Sequence, residues 1–152
     1  METLKMINAR KAVRKYSGQI TDEQLYQILL AGNAGPVGLG QYEDYQITVI
    51  QDAKVLSNLN GIYDAPTVIV VSSNKNSSME HISAGAIVHN MELAAEDQGL
   101  GANYNMASLS SIPQSILPAG FSPLFALTLG QTDEQFTARN VPIDRIKTNI
   151  VK

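Results

Sequence analysis

The chain has 152 residues; 44% are hydrophobic and 16% charged, against a usual charged share of about a quarter. A net charge of −3 excludes a general nucleic-acid binder, which needs positive surface to displace counterions. The lack of cysteine excludes a disulfide framework, a thiolate zinc site and a thiol nucleophile, and no stretch approaches the roughly 20 apolar residues that cross a bilayer.

Residues 3–9 read as a short helix with Leu4 and Ile7 on one face. Thr21 opens a second helix: it can cap, and Gln24 stands three residues later as in a capping box. Leu25, Ile28 and Leu29 follow at helical spacing, and Gly32-Asn33 ends the run. Residues 34–40 form a glycine-rich loop. Residues 45–50 read as a strand and 52–59 as a weaker helix. Residues 66–71 are β-branched without polar alternation, which suits a central strand buried on both faces.

Residues 81–98 are the strongest helix, with Ala84, Ile87, Val88, Met91, Ala94 and Ala95 at a 3.6-residue rhythm. Gly99-Leu100-Gly101 stops it, and 102–104 is a short strand. Pro113 suits the first turn of a short helix opening at Ser111, and 124–130 is a last apolar strand. Residues 131–152 are polar, either frayed or reaching across a partner. The order predicts an α+β or α/β domain with helices layered around one sheet. Because the basic residues near the start precede no long apolar run, the expected location is the cytoplasm.

The cations are unevenly placed. Lys5, Arg10, Lys11, Arg14 and Lys15 crowd one end, Arg139, Arg145, Lys147 and Lys152 the other, and residues 76–138 hold none. An anion site must therefore draw on both ends of the chain. Arg10 and Arg14 share a face if their segment is helical, and the guanidinium fork suits phosphate. The competing reading is a solvated basic face, the commoner fate of a charge run.

Neither glycine-rich turn has the spacing or preceding strand of a dinucleotide fingerprint, and there is no Walker lysine. No Gly-x-Ser-x-Gly elbow exists. His81 and His89, eight apart, fit no metal motif, and His89 reads as a packed, hydrogen-bonded histidine. Glu92 and Glu96 repel across one helical turn, which favours exposure. Met91 and Met106 read as core filling.

Four segments form an ordered set. The first is Arg10-Lys11-Ala12-Val13-Arg14-Lys15-Tyr16 with the helix after Thr21. The second is Leu30-Ala31-Gly32-Asn33-Ala34-Gly35-Pro36-Val37-Gly38. The third joins Asp64-Ala65-Pro66-Thr67-Val68-Ile69-Val70-Val71 to Asn90-Met91-Glu92-Leu93-Ala94-Ala95 and Gly99-Leu100-Gly101. The fourth is Leu117-Pro118-Ala119-Gly120-Phe121-Ser122-Pro123, then 127–130 and Ala138-Arg139. In this order and spacing they resemble the FMN-dependent nitroreductase family, across nearly the whole chain.

The resemblance implies an α+β sandwich over residues 1–152, one domain with a central sheet flanked by helices. It implies a homodimer with FMN at the subunit interface. Arg10, Lys11, Ala12 and Arg14 would lie at the FMN phosphate and ribityl chain, joined by Arg139. Pro36, Val37 and Gly38 would meet the flavin from the second subunit. Tyr104, Asn105 and Met106 would place backbone at its reactive edge, and Asn58 would reach its pyrimidine edge. The implied activity is a two-step hydride transfer, from NAD(P)H to the flavin and then to a nitroaromatic, quinone or similar small acceptor. The flavin carries the chemistry, so no protein acid or base is required. The alternative is a non-catalytic flavin-binding or protein-binding dimer of the same fold.

The chain departs from the family pattern at several points. Ala12 stands for a serine, Thr137 for a second basic residue, and Gly40-Gln41-Tyr42-Glu43-Asp44 for Asn-x-Gln-Pro-Trp. The stretch between residues 71 and 81 is brief. These departures imply a more open site that holds FMN more weakly.

Overall fold

The computed structural model describes residues 2–152. Its organising element is β2 (Thr67–Ser73), in which every residue is buried. β1 (Tyr45–Ile50) and β4 (Ser122–Gly130) pair with it on either side, and β3 (Gly101–Asn105) pairs with β4. All pairings are antiparallel, in the order β1-β2-β4-β3. Strand side chains alternate between faces. Ile69 and Val71 enter a cluster with Ile28, Val88, Met91 and Leu127. Val68 and Val70 enter a second one with Leu59, Ile62, Ile112 and Leu117. Apolar cover on both faces explains the unbroken β-branched run, and the segregated helices make the fold α+β.

The first cluster is roofed by α2 (Asp22–Asn33) and α4 (Ser78–Asp97). The expected capping box opens α2: Gln24 N–H donates to Thr21 Oγ1 at 3.1 Å, and Thr21 N–H to Gln24 Oε1 at 2.9 Å. α4 begins three residues before the expected start because Glu80 accepts from Ser77 N–H and Oγ–H, at 3.3 and 2.7 Å. Asp52 caps the short α3 (Ala53–Ser57), accepting from Val55 N–H at 2.9 Å. Around Pro113 the chain makes two 3₁₀ turns, Leu109–Ser111 and Gln114–Ile116, in place of one short helix.

α1 (Thr3–Ala9) ends before the cationic run, and residues 10–16 have no helix, so Arg10 and Arg14 share no helical face. The segment is instead strapped along the sheet. Val13 N–H donates to Ala102 O at 2.9 Å, and Gly18 and Gln131 form an isolated antiparallel bridge. The Tyr16 hydroxyl donates to Val13 O at 2.8 Å and meets Thr128 Oγ1 at 2.5 Å; burial pushes its pKa up to about 12. Residues 132–152 have neither helix nor strand, and Ile143 is 95% exposed and Ile146 79%. No helix among the described residues is long and apolar enough to cross a membrane.

The strap needs glycines beneath it. A Cβ on Gly101 would lie 2.7 Å from Val13 Cγ1, and one on Gly130 2.8 Å from Tyr16 Cδ1. Gly101→Ala is expected to push residues 13–16 off the sheet and cost about 1–3 kcal/mol, read as a lower urea midpoint. Gly85→Ala on α4, where an added Cβ meets nothing within 4 Å, should instead stabilise by about 0.5–1 kcal/mol.

Candidate functional site

The strap crosses α4 over two carboxylates. Glu92 is 0% exposed and Glu96 2%, which corrects the expectation that helical repulsion would leave both in water. That repulsion is worth a few tenths of a kcal/mol, and it loses to partners brought from elsewhere. Arg10 Nη1 lies 3.1 Å from Glu92 Oε1, and Lys11 N–H donates to Glu96 Oε1 at 3.2 Å. Neither Oε2 has a hydrogen-bond partner among the described residues. Burial, then the charge of Glu92, pushes the Glu96 pKa up to about 8, which favours its neutral acid form. Burial also raises Glu92, and the Arg10 guanidinium opposes that shift.

The two ends of the chain meet here. Arg139 Nη2 donates to Arg10 O at 2.7 Å and its Nε to Asn8 O at 3.0 Å. Lys11 Nζ lies 3.2 Å from Glu134 Oε1 and 5.6 Å from the Phe136 ring centroid. Ala12 is half-buried between them in sequence. Arg14 differs: it is exposed, its guanidinium sits 5.9 Å from the Tyr63 ring centroid, and among the described residues it pairs with no carboxylate. Tyr63 and the next residue, Asp64, have φ of 57° and 54°, a strained left-handed pair of non-glycine residues.

The turn that holds Tyr63 is tied to the end of β3. Asn105 Nδ2 donates to Gly61 O at 2.8 Å, and Asn105 Oδ1 accepts from Ser108 N–H at 2.9 Å. Tyr104 packs on Phe125, with centroids 5.1 Å apart, and its hydroxyl bonds His89 Nδ1; His89 is hydrogen-bonded as expected, but its side chain is 41% exposed rather than packed in the core. Met91 fills the core, whereas Met106 is 63% exposed, which corrects its reading as core filling. Met106 follows β3's last residue and lies on a surface bend.

Arg10, Lys11, Arg14, Arg139, Tyr104 and Asn105 are therefore joined by one chain of contacts. Two groups stand apart. Asn58 caps α3, its Nδ2 donating to Lys54 O at 2.9 Å. Pro36, Val37 and Gly38 line an apolar groove of about 500 Å³ with Met79, Ile82 and Ala86. Gly38 N–H is fixed there by Ser83 Oγ at 3.1 Å. At about 1.5 Å per residue, Ile82 and Glu92 lie roughly 15 Å apart along α4. A single chain does not bring the groove to the cations.

Sequence reasoning missed Glu92, Glu96 and Tyr63 as members of this region. A signal existed for Glu92, four residues after Val88 on the apolar stripe; Tyr63 had none. Chemically the region can hold an anion. Among the described residues there is no cluster of three metal-ligating side chains.

Known proteins resemble this chain in sequence and fold. The family model described as the nitroreductase family matches residues 35–111, just over half of the chain. A Methanothermobacter thermautotrophicus protein, provisionally named an NADH dehydrogenase/NAD(P)H nitroreductase, is 26% identical over 149 residues, covering 82% of this chain and 76% of that protein. The structure of a Bacteroides fragilis nitroreductase with bound FMN superposes with a TM-score of 0.84 over 100% of both chains, at 23% identity. A Desulfitobacterium hafniense nitroreductase with bound FMN gives 0.81 over 99% of both, at 19% identity.

Removing Arg10 strands a buried charge. Arg10→Met is expected to cost about 3 kcal/mol in urea unfolding, and adding Glu92→Met should return most of that loss. Equal losses in the single and double variants would dissolve the pairing.

Proposed function

The chain belongs to the nitroreductase family, and from that membership we propose that it is an FMN-dependent oxidoreductase, taking hydride from NAD(P)H and passing it to an electron-poor small molecule. The observation that carries this reading is the bond from Arg139 to the Arg10 carbonyl, which joins opposite ends of the chain on the strap that also bears Lys11 and Arg14. A flavin phosphate is close to doubly charged at neutral pH and calls for cationic donors. Arg14, which among the described residues pairs with no carboxylate, fits that need best. Ala12 offers no hydroxyl where the family pattern has serine, so the phosphate rests on charge and backbone N–H groups.

When bound, FMN supplies the hydride-accepting and hydride-donating centre. The chain's own part is placement. Asn105, locked by Gly61 O and Ser108 N–H, fixes the turn that would present the backbone of Tyr104, Asn105 and Met106. Asn58 could meet a ligand with its Oδ1 or second N–H while still holding Lys54 O. Donor N–H groups held rigid in this way favour charge that develops during transfer, at no cost in reorganisation. The NAD(P)H donor rests on the name of the archaeal relative. The acceptor is proposed as a nitroaromatic, a quinone or a related small molecule, in a ping-pong sequence.

The groove of Pro36, Val37 and Gly38 lies too far along α4 to serve the same chain's cations, so we assign it to the site of a second copy. The exposed Ile143, Ile146 and Ile150 of the tail support a homodimer, since apolar side chains in water favour an interface. We take residues 1–152 as one domain acting in the cytoplasm. A second reading, a dimer of this fold that binds flavin without turnover, is favoured by the engagement of Arg10 with Glu92 rather than with solvent.

Arg14→Ala is expected to weaken FMN binding about tenfold or more, followed by quenching of flavin fluorescence. An unchanged Kd would remove Arg14 from the site. Bleaching of bound flavin by NAD(P)H, with recovery on adding a quinone, separates the enzyme from the non-catalytic dimer. A monomer mass in light scattering would contradict the shared site.

A further inference from the structure

The acids beneath the strap have no role in the function described so far. Two carboxylates one helical turn apart are buried beneath the strap, and among the described residues each keeps an oxygen with no hydrogen-bond partner. A pair meant only to fasten the strap would be expected to use both oxygens, because an unpaired buried oxygen costs free energy. Their partners lie where an external anion would act: Arg10 contacts Glu92 through its guanidinium, and Lys11 contacts Glu96 through its backbone N–H.

We propose that Glu96 with Glu92 is a proton-holding counterweight to the anion site, so that a phosphate-bearing ligand binds at Arg10, Lys11 and Arg14 together with a proton retained on the acid pair. This rests on the anion site named above and adds a regulation to it. With one proton on the pair, Arg10 balances the single buried negative charge, and Lys11 and Arg14 attract an external anion unopposed. With that proton lost, a second buried negative charge goes unbalanced and offsets part of that attraction. No covalent step is involved; the proton exchanges with solvent.

The surrounding groups set the working range. From α4 the pair faces His89, whose Nδ1 lies 3.9 Å from Glu92 Oε2. From the strap come Arg10 and Lys11, and from β3 comes Tyr104, whose hydroxyl burial holds above the usual phenol range. Glu134 and Arg139 sit one contact further out, on Lys11 and on the Arg10 carbonyl. Burial and the neighbouring Glu92 charge push the Glu96 pKa up to about 8, and a bound anion would raise it further by like-charge repulsion.

The test is the Kd of FMN at pH 7, 8 and 9, by fluorescence quenching, in the full chain and in Glu96→Gln. The phosphate charge is essentially constant over this range. Linkage predicts that the wild type weakens about tenfold between pH 7 and 9. Glu96→Gln keeps an oxygen for Lys11 N–H and carries no proton to lose. Its Kd should stay level and be about tenfold tighter than wild type at pH 9. A wild-type Kd that is flat with pH overturns the proposal and leaves the flavin reading standing, as does a variant that keeps the wild-type slope. Sulfate, whose charge is fixed from pH 7 to 9, is the second probe, followed through protection against urea unfolding. Protection by sulfate that fades above pH 8 with no FMN binding at any pH keeps the proton coupling and ends the flavin reading. Binding of neither probe ends both.

Discussion

The burial of Glu92 and Glu96 is the constraint on which the rest of this architecture hangs. Taking a carboxylate out of water costs several kcal/mol unless charge and hydrogen bonds replace the lost hydration. α4 cannot supply the replacement, because residues 76–138 contain no lysine or arginine. The compensation has to come from the chain's first residues, and the strap 10–16 is drawn across α4 to provide it. Once there, it needs the bare edges of Gly101 and Gly130 beneath it, and its own carbonyls need donors, which Arg139 brings from the far end. A local electrostatic debt thus dictates a long-range topology.

What was readable in the sequence follows from the same distinction between local and distant causes. β2 could be read because a strand covered on both faces must be apolar at every position, and its composition says so. α2 could be read because its capping box closes within four residues. The Ser77–Glu80 pair is equally local, yet it begins α4 in a polar stretch where no apolar rhythm marks the start. The burial of Glu92 and Glu96 could not be read from their neighbours, because the partners that decide it lie 82 and 85 residues away. Met106 failed for a related reason. Its residue type suits a core, but its place just after β3 leaves it at the surface.

The candidate site was legible in its cations and illegible in its geometry. The uneven charge map meant that any anion site had to draw on both ends of the chain, and Arg139 on the Arg10 carbonyl brings those ends into contact. The helical spacing of Arg10 and Arg14 suggested equivalent roles. The extended strap separates them: it turns Arg10 inward to a buried acid and Arg14 outward to a tyrosine ring. Which arginine is spent on the fold and which is left for a ligand depends on a backbone conformation that residue types do not specify.

That separation bears on how a small chain maintains a charged ligand site. A guanidinium fully committed to a buried carboxylate contributes rigidity and little new affinity, since moving it would expose the acid's cost. A guanidinium resting on an aromatic face keeps its hydrogen-bond donors, because the ring attracts the cation without occupying its N–H groups. Tyr63 holds its place through a strained backbone that the Asn105–Gly61 bond helps to fix, so the orientation of Arg14 is prepared by the end of β3. The strand end that would present backbone to a flavin therefore also positions the cation that would meet its phosphate. The two contacts are coupled through Gly61 within one chain, and in the proposed dimer only the apolar cover from the groove at Pro36–Gly38 would come from a second copy.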